Sequence, residues 1–229
     1  MAPTRDDSTD AAPAKYDVKR ALKECYAPRN TADWALVEVP PQRFLAVDGR
    51  GNPNTSADYA RAVEALYATA YTIKFASKRA LGRDFVVGPL EGLWWSQRPE
   101  VFVTRDKDAW QWRMLISLPD WITDEQVAQA KEAALAKKGL PAIEAVRPET
   151  LREGTSAQLL HLGSYDDEGP ALARLHHAYL AANGLRPSGH HHEVYLSDPR
   201  RTAPARLRTV LRQPVRAADA PETHREPVV

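Results

Sequence analysis

His191-His192-Glu193-Val194-Tyr195-Leu196, followed by Ser197-Asp198-Pro199 and Arg200-Arg201, reads as a strand stopped by an Asp-Pro turn. Side chains alternate along an extended chain, so His191, Glu193 and Tyr195 share one face while His192, Val194 and Leu196 share the other. A carboxylate in mid-strand runs against β propensity and is costly to bury alone, so Glu193 is solvated, paired or employed. This strand has neighbours of a definite kind. Ser156 to Gly163 reads as a strand, and Pro170 to Asn183 as a helix with Leu172, Leu175, Tyr179 and Leu180 on one stripe and Asn183-Gly184 as its stop. A last strand spans Arg206 to Gln213. The order is therefore β-α-β-β.

Further toward the N-terminus the same order occurs once more. Leu36 to Val47 is β-prone, and Gly49 to Pro53 punctuates it. Ser56 to Lys78 places Tyr59, Val63, Leu66, Ala70 and Ile73 at helical spacing, with Thr55 and Asp58 resembling a capping box. Val87 to Trp95 and Trp110 to Leu118 complete the half as strands. A helix at 123–138, with Thr123 and Gln126 as capping box and Gly139-Leu140-Pro141 as its end, links the halves. Ala145 to Arg152 reads as a further strand. The expected fold class is α+β: duplicated β-α-β-β halves at about 36–118 and 156–213, antiparallel sheets with helices on one side, and a central ligand cleft at the junction.

The 229 residues, 43% of them hydrophobic, can fill one sizeable core. Lys plus Arg number 31 against 30 Asp plus Glu, so there is no electrostatic case for nucleic acid or an anionic membrane as partner. Met1 to Ala14 has no apolar run and reads as a disordered tail rather than a signal peptide or a span, and residues 216–229 repeat its composition. The ordered domain is expected at 16–215. Cys25 is the single cysteine, which excludes an internal disulfide and suits a cytoplasmic location.

The candidate site gathers around Glu193. Trp94 and Trp95 must point in opposite directions, so one of them is available as a wall for a flat ligand, and Trp95 is the expected one. Trp110, Trp112, Met114, Ile116 and Leu118 form one apolar face, and Trp112 and Trp121 are further candidate walls. Glu91 holds in its half the place that Glu193 holds in the other, as a second pocket carboxylate or an exposed one. His161 ends a strand, and Tyr165 falls at the turn into the next helix, where its phenol can donate into a pocket. Tyr195 shares the face of Glu193. Neither His190, His191 and His192 nor the pair His176 and His177 is spaced to hold one metal. No phosphate loop, nucleophile elbow or HExxH motif occurs, so no metal and no cofactor are expected.

His161 to Asp167, Tyr179-Leu180 with Asn183-Gly184-Leu185, His191 to Arg201, Thr209 to Val215, Glu91 to Trp95 and Trp112 to Asp120 together resemble the stand-alone GyrI-like small-molecule-binding proteins. The resemblance covers most of the ordered chain. It implies the duplicated β-α-β-β (SHS2-type) fold shared with effector domains of multidrug-responsive regulators. Tyr16 to Tyr26 is too short for a DNA-binding module, which argues against a regulator. The stand-alone branch is similar to cyclopropanoid cyclopropyl hydrolases, which open the strained ring of DNA-alkylating compounds of the yatakemycin and duocarmycin type. What the resemblance implies for this chain is a monomer or weak dimer acting on a planar hydrophobic molecule. Glu193 would be the base that orients water, Tyr165 the donor to the developing phenolate, and Trp95, Trp112 and Trp121 the walls. The other reading is a protein that sequesters planar or cationic hydrophobic compounds, with Glu193 as counter-ion.

Overall fold

Pro40-Pro41 splits the first β-prone stretch into β1 (Ala35–Val39) and β2 (Gln42–Arg50), since proline has no N–H for a ladder. The structure, a computed structural model, describes residues 15–98, 104 and 106–219. The expected tail at 1–14 and residues 220–229 lie outside the described residues. The long helix of the first half runs Ala57–Leu81. Its cap is Ser56 rather than Thr55: the Ser56 hydroxyl accepts from the Tyr59 amide, and Gly82, at φ 65°, ends the helix in the left-handed conformation. β3 (Leu90–Trp95) and β4 (Gln111–Leu118) follow.

The linker helix Asp124–Lys138 carries the expected capping box in both directions, with Thr123 and Gln126 each serving the other's amide. Then come β5 (Arg147–Leu151) and β6 (Gly154–Leu162). Gly169–Arg174, a π turn at Leu175–Tyr179 and Leu180–Ala182 run on as the second-half helix. β7 (Leu185–Pro187), β8 (His191–Tyr195) and β9 (Arg208–Ala217) close the chain. β9 reaches Ala217, paired with Leu185, so residues 216 and 217, expected as tail, are strand.

The strands form one antiparallel sheet in the order β1-β6-β9-β8-β3-β4-β2-β5, with β7 added to β9, and the sheet is not closed. The halves β2-helix-β3-β4 and β6-helix-β8-β9 meet where β3 pairs with β8. The register Val39↔Gly154 of β1 on β6 continues as Gln42↔Leu151 of β2 on β5. β1, which precedes β2, thus lies along β6, and β5, which precedes β6, lies along β2, which ties the halves together at both ends of the sheet.

Both long helices cover the same sheet face. Leu45, Val47, Trp112, Met114 and Ile116 pack under Ala62, Ala65, Leu66, Ala70 and Ile73 of the first helix, whose alanines allow a close approach. Ala157, Leu159, Leu211 and Val215 pack under Ala171, Leu175 and Leu180 of the second. The other face is covered near its centre by the short helices Val18–Ala21 and Lys23–Tyr26, with Val18, Cys25 and Tyr26 against Val194 and Val210. Among the described residues no helix is long and apolar enough to cross a membrane.

Candidate functional site

β3 and β8 pair as Gly92↔Glu193, Trp94↔His191 and Leu90↔Tyr195. Directly opposed residues share a face, so Trp94, His191, Glu193 and Tyr195 rise together on the face that carries the two helices. The Trp94 indole N–H donates to the Tyr195 hydroxyl oxygen at 2.9 Å, and that hydroxyl donates to Glu193 Oε2 at 2.8 Å. An indole only donates, so the Tyr195 oxygen accepts from it and has its single proton left for the carboxylate. His191 Nε2 stands 3.4 Å from Glu193 Oε1, and the Glu193 side chain is 13% exposed.

Gly92 makes room for this relay. A Cβ at that position would stand 2.9 Å from Trp94 Nε1 and 3.2 Å from the Tyr195 hydroxyl. Gly92→Ala is expected to push the two apart and to destabilise the fold by about 1–3 kcal/mol through overpacking. Thermal unfolding and near-UV circular dichroism check this, and a variant indistinguishable from the parent in both refutes it.

Aromatic rings enclose the carboxylate. Tyr59, in the first turn of the long helix, stacks on Trp94 (6.4 Å between centroids, 26°) and meets Trp112 edge-on (5.2 Å, 86°). Trp110 meets Trp94 edge-on at 5.6 Å, and Tyr165 meets Tyr195 edge-on at 5.5 Å. Burial first, then the carboxylates of Glu168, Glu193 and Asp198, push the Tyr165 phenol up to about 12. Burial followed by Glu193 raises Tyr59 and Tyr195 as well. All three phenols are therefore proton-bearing donors near neutral pH.

His161 reaches the site through the ladder, since it pairs with Thr209, which pairs with Tyr195. Its Nε2 lies 3.0 Å from the Ser164 carbonyl, and a carbonyl only accepts, so the ring nitrogen is the donor. That bond steadies the turn that presents Tyr165. Beyond the turn stands Glu168, 5% exposed. Its carboxyl faces the Thr209 hydroxyl, yet neither Glu168 Oε1 nor Thr209 Oγ1 has a partner at hydrogen-bond geometry. Burial, and after it the Glu193 carboxylate, holds Glu168 well above the usual carboxylate range. Nothing in the sequence marked Glu168, because an acid just before a Gly-Pro helix start reads as ordinary helix-terminus chemistry.

Glu91, expected as a second carboxylate beside Glu193, is opposite Val194 in the register and points to the other face. There it accepts from the Tyr26 hydroxyl at 2.8 Å and stands 3.1 Å from His192 Nε2. Trp95 lies on that face too, stacked on His190 at 4.5 Å with its N–H on Gln111. Trp112 is 1% exposed and lies in the core against Tyr59. Trp121 donates to the Ser77 hydroxyl and packs on Tyr16, Phe85 and the Arg83 guanidinium. Ser77 is about 27 Å along the helix from Tyr59, at 1.5 Å per residue. The rings that surround Glu193 are thus Trp94, Trp110, Tyr59, Tyr165 and Tyr195. Two open cavities lie elsewhere, one of about 160 Å³ between Tyr16, Gln42 and Asp120 and one of about 270 Å³ beside Gly49 and Asp58.

A family model for a GyrI-like small molecule binding domain matches residues 33–216. An uncharacterized conserved protein from Listeria innocua has a solved structure 40% identical to this chain, at TM-score 0.81, covering 88% of this chain and 100% of its own. A hydrolase from Listeria innocua is 39% identical at TM-score 0.77, again covering 88% of this chain and 100% of its own. The EcmrR C-terminal domain, 12% identical at TM-score 0.53 over 81% of this chain and 98% of its own, shares the fold. No curated protein matches the chain.

Proposed function

The chain belongs to the GyrI-like small-molecule-binding domain family, and on that premise we propose that the enclosure around Glu193 admits a planar, apolar molecule of the yatakemycin or duocarmycin type and opens its cyclopropane with water. Glu193 orients the water and takes its proton, and Tyr165 donates a hydrogen bond to the dienone oxygen as that oxygen becomes a phenolate. The water oxygen bonds to the ring methylene as the methylene–ring-carbon bond breaks, and the released electron pair moves through the dienone to its oxygen. Relief of ring strain drives the step, which as written draws on no cofactor. In a cytoplasm this reaction would protect DNA from alkylation.

One observation carries the reading: the Tyr195 hydroxyl, itself accepting from Trp94, occupies Glu193 Oε2, so that Oε1, with the His191 ring nitrogen 3.4 Å away, is the oxygen for a water. The Listeria innocua protein described as a hydrolase, at 39% identity, supports it too. Incubation of the protein with a duocarmycin should yield, by mass spectrometry, a product heavier by one water. Tight binding with no product, and a preference for planar cations over neutral compounds, would replace the hydrolase with a sequestering protein that uses the same carboxylate as counter-ion.

A further inference from the structure

Glu168 is a buried acid for which the reading above has no task. Its common task, capping its helix, is not performed: no side-chain cap bond forms, and Pro170 in the first turn has no N–H to offer. No Lys or Arg among the described residues forms an ion pair with it, and Lys107 is engaged with Asp166 at 3.0 Å. A carboxylate at 5% exposure with one oxygen unpartnered would be costly as an anion. Glu193 and Tyr195 stand toward it from β8, Thr209 from β9 with His161 paired to Thr209 on β6, Tyr165 and Asp166 from its own turn, and Lys107 from the segment before β4. With a second carboxylate sharing the site, one of the two holds a proton.

We propose that Glu168 is the general acid of this site: its carboxyl donates the proton that the substrate's carbonyl oxygen takes as the ring opens. The assignment rests on the strained-ring reading and completes its proton balance. Glu193 gains the proton of the water and Glu168 gives one to the phenolate oxygen, on which Tyr165 keeps its hydrogen bond. The net charge of the two carboxyls is unchanged, and one proton passing from Glu193 back to Glu168 resets the site without a co-reactant. A carboxylic acid kept neutral by an apolar site is a known means of serving a developing oxyanion. The arrangement also selects a ligand: one neutral overall, with a hydrogen-bond acceptor conjugated to the strained ring.

Glu168→Gln tests this, because an amide keeps the shape and a hydrogen-bond donor but has no proton to give. Turnover of a duocarmycin is expected to fall about 10²- to 10⁴-fold with KM nearly unchanged. Glu168→Asp keeps the acid but withdraws it by one methylene; its rate should lie between those of the parent and the Gln variant. A second readout needs no substrate. If the fold holds the proton and the unfolded chain releases it above its ordinary value of 4.5, the unfolded state binds fewer protons and the parent loses stability as pH rises. Parent and Glu168→Gln should then have a constant stability difference below pH 4.5, and the difference should shift in favour of the Gln variant from there to about pH 10. Product formed by Glu168→Gln at the parental rate, or a stability difference that does not vary with pH, overturns the assignment alone. Absence of product from the parent protein itself overturns the hydrolase reading, and this assignment with it.

Discussion

Glu193→Gln is expected to lower the rate of cyclopropane opening by about 10²- to 10⁴-fold, the contribution of one positioned base, while leaving the fold intact. The amide oxygen can accept from the Tyr195 hydroxyl as Oε2 does, and Gln is close to Glu in volume, so the relay from Trp94 has a partner of unchanged shape. What disappears is the ability to take a proton from water. Affinity for a neutral planar ligand should stay within about threefold, since aromatic contact area supplies it. Affinity for a planar cation should fall, because the attraction of a carboxylate under aromatic rings goes with the charge. Single-turnover kinetics with a duocarmycin and fluorescence titration with a neutral and a cationic dye separate the two effects. Undiminished turnover removes Glu193 from the chemistry, and loss of neutral-ligand binding in step with turnover makes it a packing residue.

The order of elements was legible because hydrophobic period, caps and stops agree within each half: Thr123 with Gln126, and Gly139 at φ 61°, do what such residues do at helix ends. Glu193, Tyr165, Tyr195 and His161 were legible as one neighbourhood because they lie near the ends of two strands and the turn between strand and helix. The walls were not. Whether Trp94 or Trp95 shares the face of Glu193 depends on the pairing Gly92↔Glu193, and a slip of one residue in that long-range register would exchange them. The same parity sent Glu91 to the opposite face. Trp121 was misplaced for another reason: an exposed-looking tryptophan beyond a strand says nothing of how far along a 25-residue helix it will dock. Tyr59 was read as one more member of a core stripe, and only the sheet beneath shows that its turn overhangs the junction.

Arg212→Met should destabilise the protein by about 3–5 kcal/mol, a large part of the 5–15 kcal/mol typical of a whole domain. Behind Glu193, on the other face of the sheet, four ionisable side chains are almost without exposure: Glu91, His192 and Arg212 at 0% and Glu153 at 7%. His192 lies between Glu153 (2.9 Å) and Glu91 (3.1 Å), and Arg212 donates to Glu153, to Gln158 and to the Cys25 carbonyl. The tetrad is self-neutralising, two positive groups against two negative, and Tyr26 ties the N-terminal helices to it. Removing Arg212 strands a buried negative charge, whereas removing a pair does not. Arg212→Met combined with Glu153→Gln should therefore cost less than the sum of the two single changes. Urea unfolding at constant m reads both.

The pH dependence of the parent reports on the same groups. Burial works against charge at both sites, but their partners prevail, holding His192 up at about 9 and Glu153 down at about 2. The His192 contribution is complete below its ordinary value of 6.5 and is lost as pH rises through about 9. The Glu153 contribution is complete above 4.5 and is lost as pH falls through about 2. Their joint stabilisation is therefore greatest between 4.5 and 6.5, and Arg212→Met should make the loss below 4.5 smaller than in the parent, because Glu153, with one partner fewer, lies closer to its unfolded value. A variant as stable as the parent, with the same loss on the acid side, would mean that the tetrad does not hold the three central strands together. Glu91, His192 and Arg212 are the chain neighbours of Gly92, Glu193 and Leu211, which lie side by side on β3, β8 and β9. Loosening the tetrad should consequently also loosen the relay on the opposite face, so ligand binding is expected to weaken in Arg212→Met even at temperatures where the variant remains folded.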